Sequence, residues 1–372
     1  MPGARGSPAQ LITNAAPRES RWNRQSAGGV APALPSLAQG GSAGYRPCME
    51  PPSFAPSIQD IRQAAARILP HAHRTPLFTS RTINSMTGAS IFFKCENLQR
   101  VGAFKFRGAA NAVFSLDDKT AGRGVATHSS GNHAQALALA ARLRGIEACI
   151  VMPGDAPRVK VEAVRGYGAR IVFSGNAPAD RERTLQEVVK ESGAEFVHPS
   201  DDLRVIAGQG TCALEILEEL ADLDMIVTPV GGGGLLSGTA LAARALSPRT
   251  RVIGAEPAAA DDAQQSFRTG TLHSSGSPQT VADGLRTSLG PNTFPIVRAC
   301  VADIVTATED SIVQATRFTW ERLKTVIEPS AAVPLAAIFQ GTLDVRGMRV
   351  AIVLSGGNVD LENLPWTGRV HA

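Results

Sequence analysis

Residues 225–237 read Met225-Ile226-Val227-Thr228-Pro229-Val230-Gly231-Gly232-Gly233-Gly234-Leu235-Leu236-Ser237. An apolar, partly β-branched run meets four consecutive glycines, and a helical pattern opens directly after them. Strand, tight turn, helix is the unit from which parallel α/β sheets are built, and ligands bind at the carboxyl ends of such strands. Four glycines let the backbone approach a ligand closely. The N–H groups of the following helix start attract an anion, so the turn is a candidate phosphate cradle. A tight turn alone needs one or two glycines. The spacing matches neither G-x-x-x-x-G-K-[ST] nor G-x-G-x-x-G, which speaks against ATP and NAD.

The alternation continues outward in both directions. Strands are expected at 90–94, 124–128, 147–152, 169–173, 195–197, 225–230, 251–255 and 348–354. Helices are expected at 105–116, 132–143, 157–165, 178–191, 205–221, 235–246, 309–325 and 330–340. Ser57 with Asp60 approximates a capping box, ahead of Ile58, Ile61, Ala65 and Ile68 on one helical face. Gly145, Gly166 and Gly193 suit left-handed helix stops. Apolar strands alternating with helices imply mostly parallel sheets covered by helices on both faces. The expected organisation is a tail at 1–53, a large domain from 54–122 with 202–364, and a small mobile α/β domain at 123–201.

The 372 residues are 43% hydrophobic and 19% charged, which suits a globular enzyme with a sizeable core. The formal net charge is +4, but residues 1–50 hold five arginines against two glutamates, so the body is nearly neutral. With no basic stripe and few aromatics, nucleic acid is not an expected partner. No apolar run reaches the roughly 18–20 residues of a membrane helix. Five cysteines (Cys48, Cys95, Cys149, Cys212, Cys300) lie far apart with no C-x-x-C pair. That argues against a disulfide framework or zinc site and fits a reducing, cytoplasmic setting. Residues 1–53, rich in Gly, Pro, Ser and Ala, read as disordered. Their arginines also admit a targeting segment, and Met49 admits an upstream over-extension.

A second clue is the block Glu96-Asn97-Leu98-Gln99-Arg100-Val101-Gly102-Ala103-Phe104-Lys105-Phe106-Arg107-Gly108-Ala109. Lys105 stands at a helix start, the wrong end for a cation. Phe104 and Phe106 give it apolar surroundings that favour a neutral, nucleophilic amine. Most single lysines are solvated surface charges. Beside a phosphate cradle, this one suggests attachment of an aldehyde cofactor carrying a phosphate. Two further turns follow expected strands: Ser129-Ser130-Gly131-Asn132-His133 and Ser355-Gly356-Gly357-Asn358.

In this order, the lysine block, S-S-G-N-H, the tetraglycine and S-G-G-N resemble the fold-type II pyridoxal-phosphate enzymes. Within these they are similar to the serine/threonine dehydratase and serine racemase group. The resemblance covers roughly residues 55–362. It implies a two-domain α/β fold of the tryptophan synthase β type, a homodimer, and pyridoxal phosphate bound between the domains. By the same resemblance, Lys105 carries the cofactor beside Phe104. Gly231, Gly232, Gly233 and Gly234 with Leu235 cradle its phosphate, Asn132 stands by the ring hydroxyl, and Ser355 by the pyridine nitrogen. Ser129, Ser130, Asn132 and His133 fall in the substrate-carboxylate loop, and Arg181 resembles a substrate-side arginine, for which an exposed helical arginine is the easier explanation. Ser130 matches the racemase residue that faces the lysine across the substrate; otherwise it is a helix N-cap. Glu256, the Ala260 carbonyl and Asp262 resemble the group's cation site, for Mg²⁺ or alternatively Mn²⁺ or Ca²⁺. Ala103, Ser200 and Arg100-Val101 depart from the racemase pattern, and the last pair makes nucleotide activation unexpected.

The implied activity is an ammonia-lyase converting the small hydroxy amino acids L-serine or L-threonine to a 2-oxo acid by β-elimination. Serine racemase and 3-hydroxyaspartate dehydratase share the motifs and stand as alternatives. A β-replacement synthase and a non-catalytic cofactor-binding protein are more distant ones.

Overall fold

The computed structural model describes residues 49–366 apart from 157, 275 and 277. The disordered stretch expected at 1–53 lies outside the described residues as far as position 48. Met49 and Glu50 belong to the structured part, where Arg244 donates to the Met49 carbonyl at 2.7 Å and pairs with Glu50 at 2.8 Å.

Among the described residues, ten strands form two sheets: β1 Leu77–Thr79, β2 Ser90–Lys94, β3 Val125–His128, β4 Ala148–Pro153, β5 Arg170–Ser174, β6 Glu195–Phe196, β7 Met225–Pro229, β8 Arg251–Pro257, β9 Asp303–Ala307 and β10 Arg349–Val353. The larger sheet has the order β1-β2-β10-β7-β8-β9 and the smaller β5-β4-β3-β6. Every pairing is parallel except β1 on β2. The expected class, α/β with mostly parallel sheets and helices on both faces, is the observed one. Side-chain alternation explains the two cores of the larger sheet. Met225, Val227, Ile253, Val350 and Ile352 face the helices Glu309–Leu323 and Pro329–Phe339. Ile226, Val252, Ile304 and Ala351 face the helices Leu203–Glu219 and Gly234–Leu246. A third core joins the smaller sheet to the helices Lys105–Phe114 and Asn132–Arg144.

Local signals account for most boundaries. The Ser57 hydroxyl and Asp60 carboxylate bond reciprocally, closing a full capping box on the helix Ile58–Ile68. Gly145 and Gly193 end their helices in the left-handed region, with φ 74° and 68°. Gly166 instead closes the helix Arg158–Gly166 without a positive φ, and the left-handed residue is Gly168 at φ 87°. The strand expected at 251–255 runs on to Pro257 and takes Glu256 into the sheet.

The helix Lys105–Phe114 crosses the helix Leu203–Glu219 at backbone contact. A Cβ on Gly208 would lie 2.7 Å from both the Arg107 carbonyl oxygen and Gly108 Cα. The Gln209 side chain accepts from the Gly108 N–H at 3.1 Å across the same crossing. Gly208→Ala should therefore destabilise by about 1–3 kcal/mol through overpacking. Gly166 has nothing within 4 Å of an added Cβ, so Gly166→Ala should stabilise by roughly 0.4–1 kcal/mol. Melting temperatures of the two variants should move in opposite directions; equal shifts would remove the crossing as the fold's constraint.

Candidate active site

Neighbouring strands β2, β10 and β7 end side by side, and their carboxyl ends release the Lys105 segment, the Ser355 turn and the tetraglycine. The first two are stitched together. The Phe104 N–H donates to the Ser355 carbonyl at 3.0 Å, and Ala103 bridges Gly356. Val101 sits at φ 56°, costly for a β-branched residue, and its carbonyl is held by Asn358 Nδ2 at 2.7 Å. Ser355 itself is buried.

Lys105 opens its helix with no side-chain cap beneath it. Its Nζ donates to the Pro199 carbonyl at 2.7 Å and stands 5.2 Å from the Phe104 ring centroid. Phe106, expected to flank the amine, is fully buried in the core beside the smaller sheet. Burial pushes the amine down to about 8, against the opposing pull of the Glu328 carboxylate.

Three of the four glycines, Gly232, Gly233 and Gly234, have neighbours that leave no room for a side chain, and Gly231 is tightly packed. A Cβ on Gly232 would lie 2.1 Å from Ser200 Oγ; Gly233 has φ 80° and would meet Leu289 at 2.5 Å. Helix starts leave their first N–H groups without intrahelical partners, and this one begins at Gly234. Leu235 turns its side chain into the core. A Cβ-free loop ending in unpaired amides, with the Ser200 hydroxyl against it, fits a phosphate group.

At the end of β3, the loop Ser129–His133 comes from the smaller sheet. The helix N-cap is Gly131, with no side-chain cap, and Ser129 Oγ accepts from the Gly131 N–H at 3.3 Å. The alternative of Ser130 as N-cap is therefore set aside, and its hydroxyl makes no hydrogen bond among the described residues. Buried His133 has Nε2 3.2 Å from the Val197 carbonyl, so that nitrogen carries the proton. Burial first, then Lys105, holds this imidazole well below its ordinary range. His128 is likewise lowered, by burial and then by Arg181. Arg181, on the helix Pro178–Ser192, has a buried Nε without a hydrogen-bond partner.

Glu328 was not among the residues expected from sequence. It is buried, and Asn132 Nδ2 donates to its two oxygens at 3.0 and 3.2 Å. The Asn358 N–H donates at 3.2 Å, while Asn358 Nδ2 donates to Asn132 Oδ1 at 2.9 Å. An acid ahead of Pro329 at a helix start reads as an ordinary dipole partner, so the sequence carried no sign of its burial.

Glu256, Ala260 and Asp262 lie apart from this cluster. Both carboxylates are buried, and Glu256 accepts from the Gln264 N–H at 2.9 Å. Burial first, and Asp262 nearby, push Glu256 up to about 9. Among the described residues no three His, Cys, Asp or Glu side chains are grouped to hold a metal.

A lysine with a weakened charge, a four-glycine turn that opens a helix and a polar serine–asparagine loop converge where parallel strands end. The family model for pyridoxal-phosphate dependent enzymes matches residues 68–356. The chain is 51% identical over 313 residues to the beta-hydroxyaspartate dehydratase of Paracoccus denitrificans, covering 84% of this chain and 99% of that protein. It is 50% identical over 316 residues to the serine racemase of Arabidopsis thaliana, covering 84% and 96% respectively. The solved structure of maize serine racemase superposes with a TM-score of 0.81 at 47% identity, covering 83% of this chain and 95% of that one. The chain belongs to the fold-type II pyridoxal-phosphate dependent enzymes, in the group of serine racemases, threonine deaminases and hydroxyaspartate dehydratases.

Burial raises Glu328 from 4.5 to about 7, with Asp283 adding to the rise and the Asn132 and Asn358 hydrogen bonds opposing it. The folded protein thus holds this proton more tightly than the unfolded chain. The resulting stability is fully present below pH 4.5 and is lost as pH rises through about 7. Glu328→Gln cannot titrate, so the melting temperature of the unmodified protein should fall relative to the variant across that window. A constant difference between the two would disprove the raised carboxyl.

Proposed function

We propose that this enzyme is an ammonia-lyase acting on 3-hydroxyaspartate, releasing ammonia and a 2-oxo acid. The carrying observation is Arg181, a cation with a buried, unpartnered Nε whose charge is felt at His128, directly before the substrate loop. A second substrate carboxylate is the partner such a group lacks; serine and threonine offer none. The 51% identity to a dehydratase named for this substrate supports the same reading. It replaces the expectation of L-serine or L-threonine as preferred substrate. Serine racemisation is the second reading, favoured by the uncommitted Ser130 hydroxyl and by relatives of that name.

In this reading the tetraglycine amides with Ser200 hold the cofactor phosphate, Asn132 the ring hydroxyl, and Ser355 the pyridine nitrogen. Pyridoxal phosphate, when bound, supplies an electron sink for charge developing at the substrate Cα. Ser355 offers a hydroxyl in place of a carboxylate, which leaves that nitrogen less protonated and suits elimination over a long-lived carbanion. Lys105, with its amine lowered to about 8, accepts the Cα proton near neutral pH. Ser129 with the helix-start N–H groups of Asn132 and His133 orients the α-carboxylate. Ser130 serves the opposite face of Cα. Loss of water across Cα–Cβ, followed by hydrolysis, gives the 2-oxo acid and ammonia.

The residues 123–201 would move as a small domain against 54–122 with 202–364, in a homodimeric, cytoplasmic enzyme. Among the described residues no helix is long and apolar enough to cross a membrane. A divalent cation, Mg²⁺ or else Mn²⁺ or Ca²⁺, would sit on Glu256, the Ala260 carbonyl and Asp262. Asp262 helps push the buried Glu256 carboxyl up, and a cation between the two would relieve that repulsion.

Oxo-acid release should be fastest from 3-hydroxyaspartate in a panel with serine and threonine. Arg181→Leu should lower kcat/KM for 3-hydroxyaspartate by roughly 100-fold or more and for serine only slightly. Equal losses would return the assignment to a monocarboxylic substrate. Ser130→Ala should keep most elimination from the L-substrate while losing about 10²–10⁴-fold of any D-serine turnover. Chelation should lower the melting temperature, with added Mg²⁺ restoring it. An unchanged chelator response in Glu256→Gln and Asp262→Asn would eliminate the cation site.

A further inference from the structure

We propose that His198 is a positioning residue for Lys105. Its bare Nδ1 gathers the connector His198–Asp202 so that the Pro199 carbonyl meets the lysine ammonium and the Ser200 hydroxyl meets the tetraglycine turn. The inference rests on the reading of Lys105 as the cofactor lysine.

Nδ1 accepts from two backbone amides, Ser200 N–H at 3.2 Å and Asp201 N–H at 2.7 Å. Both partners are donors, so the proton of the neutral ring is on Nε2; a proton on Nδ1 would oppose two N–H groups. The groups facing the ring are the His128 imidazole with centroids 6.1 Å apart, the Phe196 ring at 5.8 Å, the Lys105 ammonium, and the Asp201 and Asp202 carboxylates. Burial first, then His128, holds the imidazole down to about 4, so the acceptor stays bare at working pH.

Each following residue then has a fixed partner. The Pro199 carbonyl takes the one hydrogen bond that Lys105 Nζ makes among the described residues, at 2.7 Å. Ser200 Oγ occupies the space a Cβ on Gly232 would need, and the Ser200 carbonyl the space above Gly234. Asp201 Oδ1 accepts the N–H groups of Asn292 and Thr293 at 2.9 and 2.8 Å, at the start of the helix Thr293–Cys300. Asp202 caps the helix Leu203–Glu219. One imidazole nitrogen therefore sets the shape of a loop that reaches the lysine and the phosphate cradle at once. A lysine already held beside the cradle loses less rotamer freedom when the cofactor arrives.

The test is titration of the cofactor-free full chain with pyridoxal phosphate, followed by absorbance, alongside melting temperatures without cofactor. His198→Leu keeps volume and removes the acceptor; His198→Asn keeps an acceptor oxygen. The expected result is a Kd for pyridoxal phosphate raised roughly 10- to 100-fold in His198→Leu and restored to within about threefold in His198→Asn. A lowered melting temperature with unchanged Kd in His198→Leu would make the residue merely structural and overturn the proposal, as would failure of His198→Asn to rescue. Should His198→Leu prove insoluble, long-range ¹H–¹⁵N spectra of the unmodified protein decide. The neutral Nε2–H form near neutral pH supports the proposal, and a protonated Nδ1 overturns it. Undiminished cofactor attachment in Lys105→Ala would instead defeat the underlying assignment of Lys105, a separate outcome.

Discussion

The helix Leu203–Glu219 lies against the helix Lys105–Phe114 on one flank and the helix Gly234–Leu246 on the other, and neither crossing leaves room for a side chain. A Cβ on Gly238 would stand 2.5 Å from the Gly210 nitrogen, much as one on Gly208 would strike Gly108. These glycine contacts fix the distance between the start of the lysine helix and the start of the phosphate-cradle helix. Packing at native density tolerates little adjustment at such crossings. The register of Lys105 against the tetraglycine is thus a backbone property, set before any polar contact is made.

That geometry also imposes an electrostatic division on one helix. Arg107, two residues beyond Lys105, is fully buried and paired with Glu96 and Glu215, each at 2.7 Å. Glu215 also takes buried Lys94 at 2.6 Å, so two cations and two carboxylates close a neutral network. Carboxylate pairing holds Arg107 charged in spite of its burial. Lys105 has only a neutral carbonyl within hydrogen-bond reach, and its ammonium is correspondingly weakened. The difference between an anchoring cation and a reactive amine lies in which one receives a carboxylate.

The sequence was legible wherever a local signal was strong. Apolar runs marked β2, β7, β8 and β10, and the capping box at Ser57 marked a helix start. Short edge elements went unseen: β1 has three residues and β9 lies at the sheet margin, where propensity is weakest. The two-turn helices Arg81–Thr87, Asp262–Thr269 and Thr293–Cys300 are too short for a clear period. At the site, glycine turns and the lysine block could be read because their chemistry is contiguous. Glu328 and His198 could not. Glu328 acquires its meaning from Asn132, 196 positions away, and the carbonyl that His198 helps to place serves a lysine 94 positions away. A carboxylate or imidazole has no local pattern that announces a distant partner.

The two sheets divide the labour of the site. The larger one supplies Lys105, the tetraglycine and Ser355, all on strand ends locked by parallel neighbours. The smaller one supplies His128, Ser129, Ser130 and Arg181 from a strand end, a loop and an outer helix. Polar contacts that join the two parts include Asn132 to Glu328 and Asn358, Lys105 to Pro199, the Lys160–Asp283 pair at 2.7 Å, Arg204 to Glu195 at 2.8 Å, and the Asn292 and Thr293 N–H groups to Asp201. Under the proposed roles, a substitution at Arg181 would alter which substrate is bound while leaving Lys105 and the phosphate cradle in place. In this chain the outer helix of the smaller sheet presents Arg181 with an unmet hydrogen-bond donor, which a second substrate carboxylate would satisfy in the reading proposed above.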